Sequence, residues 1–298
     1  MSPTYHFILA DHHVCVDFMQ ESINNMDLLP SFVPFAVDDC FDEPLFSMTV
    51  DDQLKPVSKE QRERIRVFDT GNGETVVDEI KNGGYQYIIR DIKGNDCALL
   101  QTNKDFSLCQ CALNGDHSMR RFGLNNALML AFAFAGCRKN TLLIHASLVR
   151  KDGVGYPFIA QSGTGKSTHV GLWLQHIPGC DMMNDDNPFV RIIGGKPYIY
   201  GGPWSGKTPC YRNVKAPLGA VTRIDRAKQN SIERLHAAEA FTSLLPACSS
   251  MKWDKEIYDN ICNTVAKIVE TTPIYTLHCL PDKEAALLCC QTITKRNA

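Results

Sequence analysis

The chain has 298 residues, with 31 Lys+Arg against 33 Asp+Glu, a formal net charge of -2, and 44% hydrophobic residues. This balance excludes a strongly basic nucleic-acid binder, which needs a cationic excess to displace counterions from phosphates. The apolar content excludes disorder, and the length suits one large domain or two smaller ones.

Thirteen cysteines are present. The start Met1–His6 has no basic region, and the apolar patch Phe7–Ala10 is too short for a signal core. The longest apolar run, Ala127–Ala135, falls short of the roughly 18 residues that span a bilayer. The cysteines therefore read as reduced thiols of a cytoplasmic protein, away from membranes and nucleic acids. None has CxxC spacing, and Cys109/Cys111 and Cys289/Cys290 are the close pairs. Neither a zinc ribbon nor a thioredoxin-type site is expected, and the thiols read as small core residues.

In chain order, His12-His13 come first, with Cys15 and Asp17 beyond. Strand alternation puts His13, Cys15 and Asp17 on one face and His12 on the other. No second ligand cluster accompanies them, so the group reads as structural. Arg64–Phe68 and Glu74–Ile80 flank the turn Thr70-Gly71-Asn72-Gly73, and Tyr85–Arg90 and Cys97–Thr102 flank Lys93–Asp96. Both are hairpin signals. Residues 1–115 thus form a β-rich N-terminal domain without a chemical motif. Ser118–Cys137 reads as an apolar helix ending near Gly136. It is expected to be a connector over 116–139, opening a second domain of 116–298.

From Thr141 the pattern alternates. A strand over Leu142–Val149, a turn, and a strand over Pro157–Ala160 lead into a Gly-rich loop and a helix over Ser167–His176. A short apolar strand then ends in Asp185-Asp186. This is an α/β nucleotide-site layout. Farther on, Trp253, Ile257, Ile261, Val265 and Ile268 recur at helical spacing, and Pro281–Glu284 reads as a helix start with Pro at N1.

A phosphate loop needs backbone N–H groups facing an anion, a helix starting there, and a Lys plus a hydroxyl. The pattern GxxxxGK[ST] matches at Gly201–Thr208, but Pro209 pushes Thr208 out of helical conformation and Cys210–Pro217 has no amphipathic period. Ala160–Ser167 lacks the first Gly yet has the right context, a strand in and a helix out. Ser162, Gly163, Thr164, Gly165, Lys166, Ser167 and Thr168 are therefore the expected nucleotide-binding residues. Lys166 is expected to bridge terminal phosphates and Ser167 to bind Mg²⁺. Asp185 and Asp186 at a strand end are expected to hold the metal and accept a proton from a nucleophile. His145, on the preceding strand, is expected to contact metal, phosphate or the acidic pair.

His145-Ala146-Ser147-Leu148-Val149, Gln161–Thr168 and Asn184-Asp185-Asp186, in this order, resemble the HPr kinase/phosphorylase family and, more distantly, ATP-dependent phosphoenolpyruvate carboxykinase. The resemblance covers roughly residues 140–290. It implies an α/β (mixed α+β) fold with a P-loop core, ATP and Mg²⁺ as cofactors, and metal duty for Ser167, Asp185 and Asp186. It also implies catalytic roles for Asp185, Asp186, His145 and Lys166, and raises homo-oligomerisation. Ala160 departs from the family's first loop Gly, and the family's own signature is not found at Tyr200–Lys207. In its place Ser205, Lys207 and Arg212 are candidates to close on the γ-phosphate or hold an anionic acceptor.

The expected function is ATP-dependent transfer of the γ-phosphoryl group to a hydroxyl of a protein serine or a small molecule. The alternatives are a nucleotide-sensing protein without catalysis, and a phosphorylase or hydrolase of a phosphoprotein.

Overall fold

The structure is a computed structural model describing residues 4–38, 43–206 and 208–295. It has two compact units, 1–136 and 137–298, and is mixed α/β with several sheets. None of the described cysteines is in a disulfide. Among the described residues no helix is long and apolar enough to cross a membrane.

The first unit is a nine-stranded sheet with one long helix. Its strands are β1 (Thr4–Leu9), β2 (His12–Phe18), β3 (Ala36–Val37), β4 (Phe46–Val50), β5 (Arg62–Asp69), β6 (Gly73–Ile80), β7 (Tyr85–Asp91), β8 (Asp96–Thr102) and β9 (Leu108–Leu113). They lie in the order β3-β1-β2-β4-β9-β8-β7-β6-β5. The β5–β6 and β7–β8 hairpins fall where alternation and turn residues place them. Ala10 and Asp11 join β1 to β2 with φ of +50° and +58°. Positive φ at both central residues marks the primed two-residue turn, whose twist matches an antiparallel pair and fixes its register.

Helix α1 (His117–Cys137) buries Leu124, Ala127, Leu128, Ala131 and Phe132 completely. The Phe134 ring packs 5.2 Å from Phe106, and the Phe132 ring 6.2 Å from His12. Residues 117–136 of this helix, expected to open the second domain, fall in the first unit, where Phe106 of the β8–β9 loop and His12 of β2 pack against it.

The second unit comprises β10 (Thr141–Leu143), β11 (Ala146–Lys151), β12 (Val154–Ile159), α2 (Lys166–His176), β13 (Cys180–Asp186), β14 (Phe189–Ile193), β15 (Lys196–Tyr200), β16 (Lys215–Pro217), β17 (Val221–Arg226), β18 (Ser231–Arg234), α3 (Ala237–Leu244), α4 (Lys255–Thr271), β19 (Ile274–Cys279) and α5 (Lys283–Ile293). One sheet runs β13-β11-β12-β17-β19-β18 and a second β10-β14-β15-β16.

The single strand expected over Leu142–Val149 is two. β10 pairs with β14 in one sheet, and β11 pairs with β12 and β13 in the other. The backbone changes sheets at Ile144 and His145, whose amides donate to Pro188 O (3.1 Å) and Ala247 O (2.7 Å). An unbroken apolar run carries no periodicity that would reveal such a break. The last helix also starts later than expected. Asp282 caps it, accepting from Ala285 N, so Pro281 precedes the cap.

The core that positions the loop lies between the larger sheet and helices α2 and α5. Trp173 is fully buried, with its ring 5.9 Å from Tyr156 and 5.4 Å from Phe158, and its Nε1 donates to His169 Nε2 at 3.0 Å. Val170 from α2 and Ala285, Ala286 and Cys289 from α5 join this core. Burying a side chain of Trp size contributes roughly 3 kcal/mol or more, enough to hold the start of α2 at the end of β12.

Candidate functional site

Residues 160–165 connect β12 to α2. Gly163 and Gly165 have φ of +77° and +122°, in the region that residues with a Cβ avoid. Gly165 is the residue before α2, so the loop ends on a helix N-terminus and its exposed amides. Arg226, at the end of β17, donates to the carbonyls of Thr164 (3.0 Å) and Gly163. No motif pointed to this arginine. Its signal, a charged residue at the carboxyl end of a strand beside the loop strand, needs the sheet order to be seen. Ser162, Gly163 and Thr164 border a cleft of about 580 Å³ whose other walls are Arg223, Asp225, Arg226 and His278. These come from the carboxyl ends of β17 and β19, the usual position of ligand crevices in α/β sheets.

Lys166 is buried although it opens α2. Its Nζ lies 2.8 Å from His145 Nε2 and donates to Ala160 O at 3.1 Å. His145 Nδ1 lies 3.2 Å from Asp186 Oδ1. The imidazole thus bridges a lysine and a carboxylate. Burial, with the charge of Lys166, lowers the His145 pKa, and burial lowers that of Lys166. A neutral His145 that donates from Nδ1 and accepts at Nε2 satisfies both partners.

Asp185 is almost fully buried. Its Oδ1 accepts from Ser147 Oγ at 2.5 Å and from Ser167 Oγ at 3.0 Å. Its Oδ2 is buried with no hydrogen-bond partner among the described residues. Such an orphaned carboxylate oxygen costs about 1–3 kcal/mol or more, as a charged acceptor stripped of water. A cation offsets that cost, and the nearby set of Ser167 hydroxyl and two carboxylates is the oxygen chemistry that Mg²⁺ takes. The residues present fit a divalent cation.

Adjacent residues of a regular strand point to opposite faces, yet Asp185 reaches Ser167 and Asp186 reaches His145. Asp186 has φ of +135°, which a side chain disfavours by about 1–3 kcal/mol. The twist breaks the alternation, so Asp185 meets Ser167 while Asp186 meets His145, whose other nitrogen holds Lys166. Asp186 also accepts from Asn187 Nδ2 at 2.7 Å.

The segment after β15 lies against the end of β13. Asn184 Nδ2 faces the carbonyls of Gly202 (3.3 Å), Trp204 (3.1 Å) and Cys210 (3.5 Å), and its Oδ1 accepts from Asn187 N at 3.0 Å. Asn184 therefore holds this loop by its backbone, a role that its place in the Asn-Asp-Asp motif did not disclose. Ser205 Oγ lies 3.0 Å from Asp185 O and 2.6 Å from Thr208 O, and accepts from Cys210 N. No helix follows Thr208; residues 209–214 run without regular structure into β16.

The structure does not bring every expected residue together. Arg212 donates to Asp181 Oδ2 at 2.6 Å and to Met182 O, and Arg150 grips the same Asp181 with two bonds. Asp181 lies near the start of β13, about 13 Å along the strand from Asp185 at its usual rise. Arg212 is thus tied to an ion-pair cluster away from Lys166. Ser162, Ser167 and Thr168 are exposed. Lys207 lies outside the described residues.

No protein-family model matches this chain, and no curated protein matches it by sequence. Among solved structures, the Hpr(Ser) kinase/phosphatase from Coxiella burnetii aligns with 49% of this chain and 90% of its own, at 9% identity and a TM-score of 0.29. That likeness is slight, and the chemistry of the site rests on the side chains described above.

Proposed function

We propose that the second unit binds a nucleoside triphosphate with Mg²⁺ at the 160–168 loop and transfers its γ-phosphoryl group to a hydroxyl acceptor. The observation that carries this reading is the continuous arrangement Asp186–His145–Lys166 beside a buried Asp185 whose Oδ2 lacks a partner. It supplies a cation for phosphate, a carboxylate for metal and a carboxylate for a proton within one short stretch of loop, helix start and strand end.

In this reading the loop amides and Lys166 hold the phosphates, and Ser167 and Asp185 hold Mg²⁺, which supplies charge neutralisation at the transferred group. Asp186 accepts the proton of the acceptor hydroxyl as the new O–P bond forms and the β,γ-bridging P–O bond breaks, leaving a nucleoside diphosphate. His145, neutral and held by Asp186, keeps Lys166 placed until phosphate draws it away. The cleft along Arg223, Arg226 and His278 takes the rest of the nucleotide.

The test is calorimetry with Mg-ATP, followed by labelled ATP with metabolite and protein pools as acceptors. Wild type is expected to bind and to label an acceptor, and Lys166→Ala and Asp185→Asn are expected to lose labelling. Equal labelling by wild type and both variants would overturn the proposal. Binding without turnover against any pool would favour a nucleotide-sensing role instead.

A further inference from the structure

The β1–β2 hairpin brings together three side chains that no single strand contains. The register sets His6 directly opposite Cys15, and His13 lies two residues before Cys15 on the same face. His6 Nδ1 lies 2.9 Å from His13 Nε2, and Cys15 Sγ lies 3.3 Å from His13 Nε2 and 3.5 Å from His6 Nδ1. The three atoms form a small triangle within 4.8 Å of one another. His13 and Cys15 are buried and His6 is half-buried. The two rings lie nearly parallel, 29° apart with centroids at 5.1 Å.

We propose that His6, His13 and Cys15 form a metal site for Zn²⁺, with three protein ligands and a fourth position left to water. Zinc bonds of roughly 2.0–2.1 Å to nitrogen and 2.3 Å to sulfur, in tetrahedral geometry, set neighbouring ligand atoms about 3.3–3.6 Å apart. The Cys15–His6 distance already matches, while the Cys15–His13 and His6–His13 pairs need to open by about 0.3 and 0.4 Å. Two imidazoles and a thiolate suit a borderline-soft cation and disfavour Mg²⁺ or Ca²⁺, which take oxygen ligands. Binding displaces the Cys15 thiol proton to solvent. It also needs both ring lone pairs at the cation, with the protons of His6 on Nε2 and of His13 on Nδ1. The short turn at Ala10 and Asp11 fixes the register that aligns the ligands, so the site is built by the hairpin itself. Reading β2 alone offered His13, Cys15 and Asp17; Asp17 instead accepts from Thr4 Oγ1 at 2.6 Å, and the missing ligand is His6, one strand away.

The test uses the full chain, stripped with chelator and titrated with Co²⁺, which reports coordination by its colour. The expected result is one cobalt per chain, a thiolate-to-cobalt charge-transfer band and intense tetrahedral d–d bands, all displaced by stoichiometric Zn²⁺. Cys15→Ser is expected to abolish the charge-transfer band, and the half-buried His6→Gln to weaken cobalt affinity at least tenfold, while Cys262→Ser leaves both unchanged. Circular dichroism of each variant establishes that it is folded. X-ray absorption of the zinc-loaded wild type is expected to fit two nitrogens and one sulfur. Absence of the charge-transfer band at stoichiometric cobalt, its persistence in Cys15→Ser, or an absorption spectrum without sulfur would overturn the proposal.

Discussion

His145 Nε2 stands 2.8 Å from Lys166 Nζ, where a charged ammonium, with donors alone, takes the imidazole's lone pair and leaves its proton on Nδ1, toward Asp186. Protonating His145 would set two cations side by side. Its pKa is lowered from 6.5 by burial and by Lys166, so the neutral form persists above pH 6.5 and is lost as pH falls below that value. Phosphoryl transfer is expected to have an acidic limb in that range. In His145→Gln the limb is expected to vanish and turnover at neutral pH to fall about tenfold or more. A pH–rate profile of kcat checks this, and an unchanged acidic limb in the variant would refute it.

Asp185 should report the cation directly. Thermal unfolding of wild type is expected to shift upward with Mg²⁺, because a ligand that binds only the native state stabilises it. Asp185→Asn should show no such shift. Without Mg²⁺ the variant is expected to melt higher than wild type, by roughly 2–4 °C for about 1 kcal/mol, since a neutral amide costs less to bury than a partnerless carboxylate oxygen. A large loss of stability in Mg²⁺-free buffer would show that the carboxylate is held by protein alone.

Arg212 is expected to behave as a structural residue. Its ion pair with Asp181 is partly exposed, so Arg212→Ala should cost on the order of 1 kcal/mol, most of it the lost bond to Met182 O. Nucleotide affinity measured by calorimetry should stay within about twofold of wild type, whereas Lys166→Ala should lose at least tenfold. Equal losses in the two variants would return Arg212 to the phosphate site.

His169 gives the second unit a pH-dependent stability of its own. Burial lowers its pKa from 6.5 to about 4, so below pH 6.5 the unfolded chain takes up a proton that the native one refuses. The sign follows: stability is complete above pH 6.5 and declines as pH falls toward 4, by about 3 kcal/mol in total at 1.36 kcal/mol per pKa unit. Denaturant melts at several pH values should show this slope, and His169→Gln should flatten it.

Much of the architecture was legible because local signals agree with it. The hairpins around Gly71 and Gly94, the apolar helix before Cys137, and the strand–loop–helix at 154–176 are written in turn residues and periodicity. The loop and the acidic pair were legible as types of residue at the right spacing. What alternation hides is long-range. The sheet change at Ile144 and His145, the twist at Asp186 that turns its carboxylate to His145, and the reach of Arg226 to the loop all depend on which strands lie side by side. Arg212 shows the same limit: its nearness in sequence to a Gly-rich turn says nothing of Asp181, the partner it reaches across the fold. His6 is the reverse case, since it joins His13 and Cys15 only through cross-strand register.

The crossing of the chain from one sheet to the other at His145 bears on how this protein can vary. A residue gained or lost in β10 or β11 would displace the imidazole by about 3.3 Å and turn it to the opposite face, away from Lys166. Length changes should instead collect at the hairpin turns Asp152-Gly153 and Gly194-Gly195, whose glycines open onto empty space. Those turns are the natural ports for inserting a tag, a reporter or an additional domain into this chain while leaving the spacing of His145, Lys166 and Asp186 untouched.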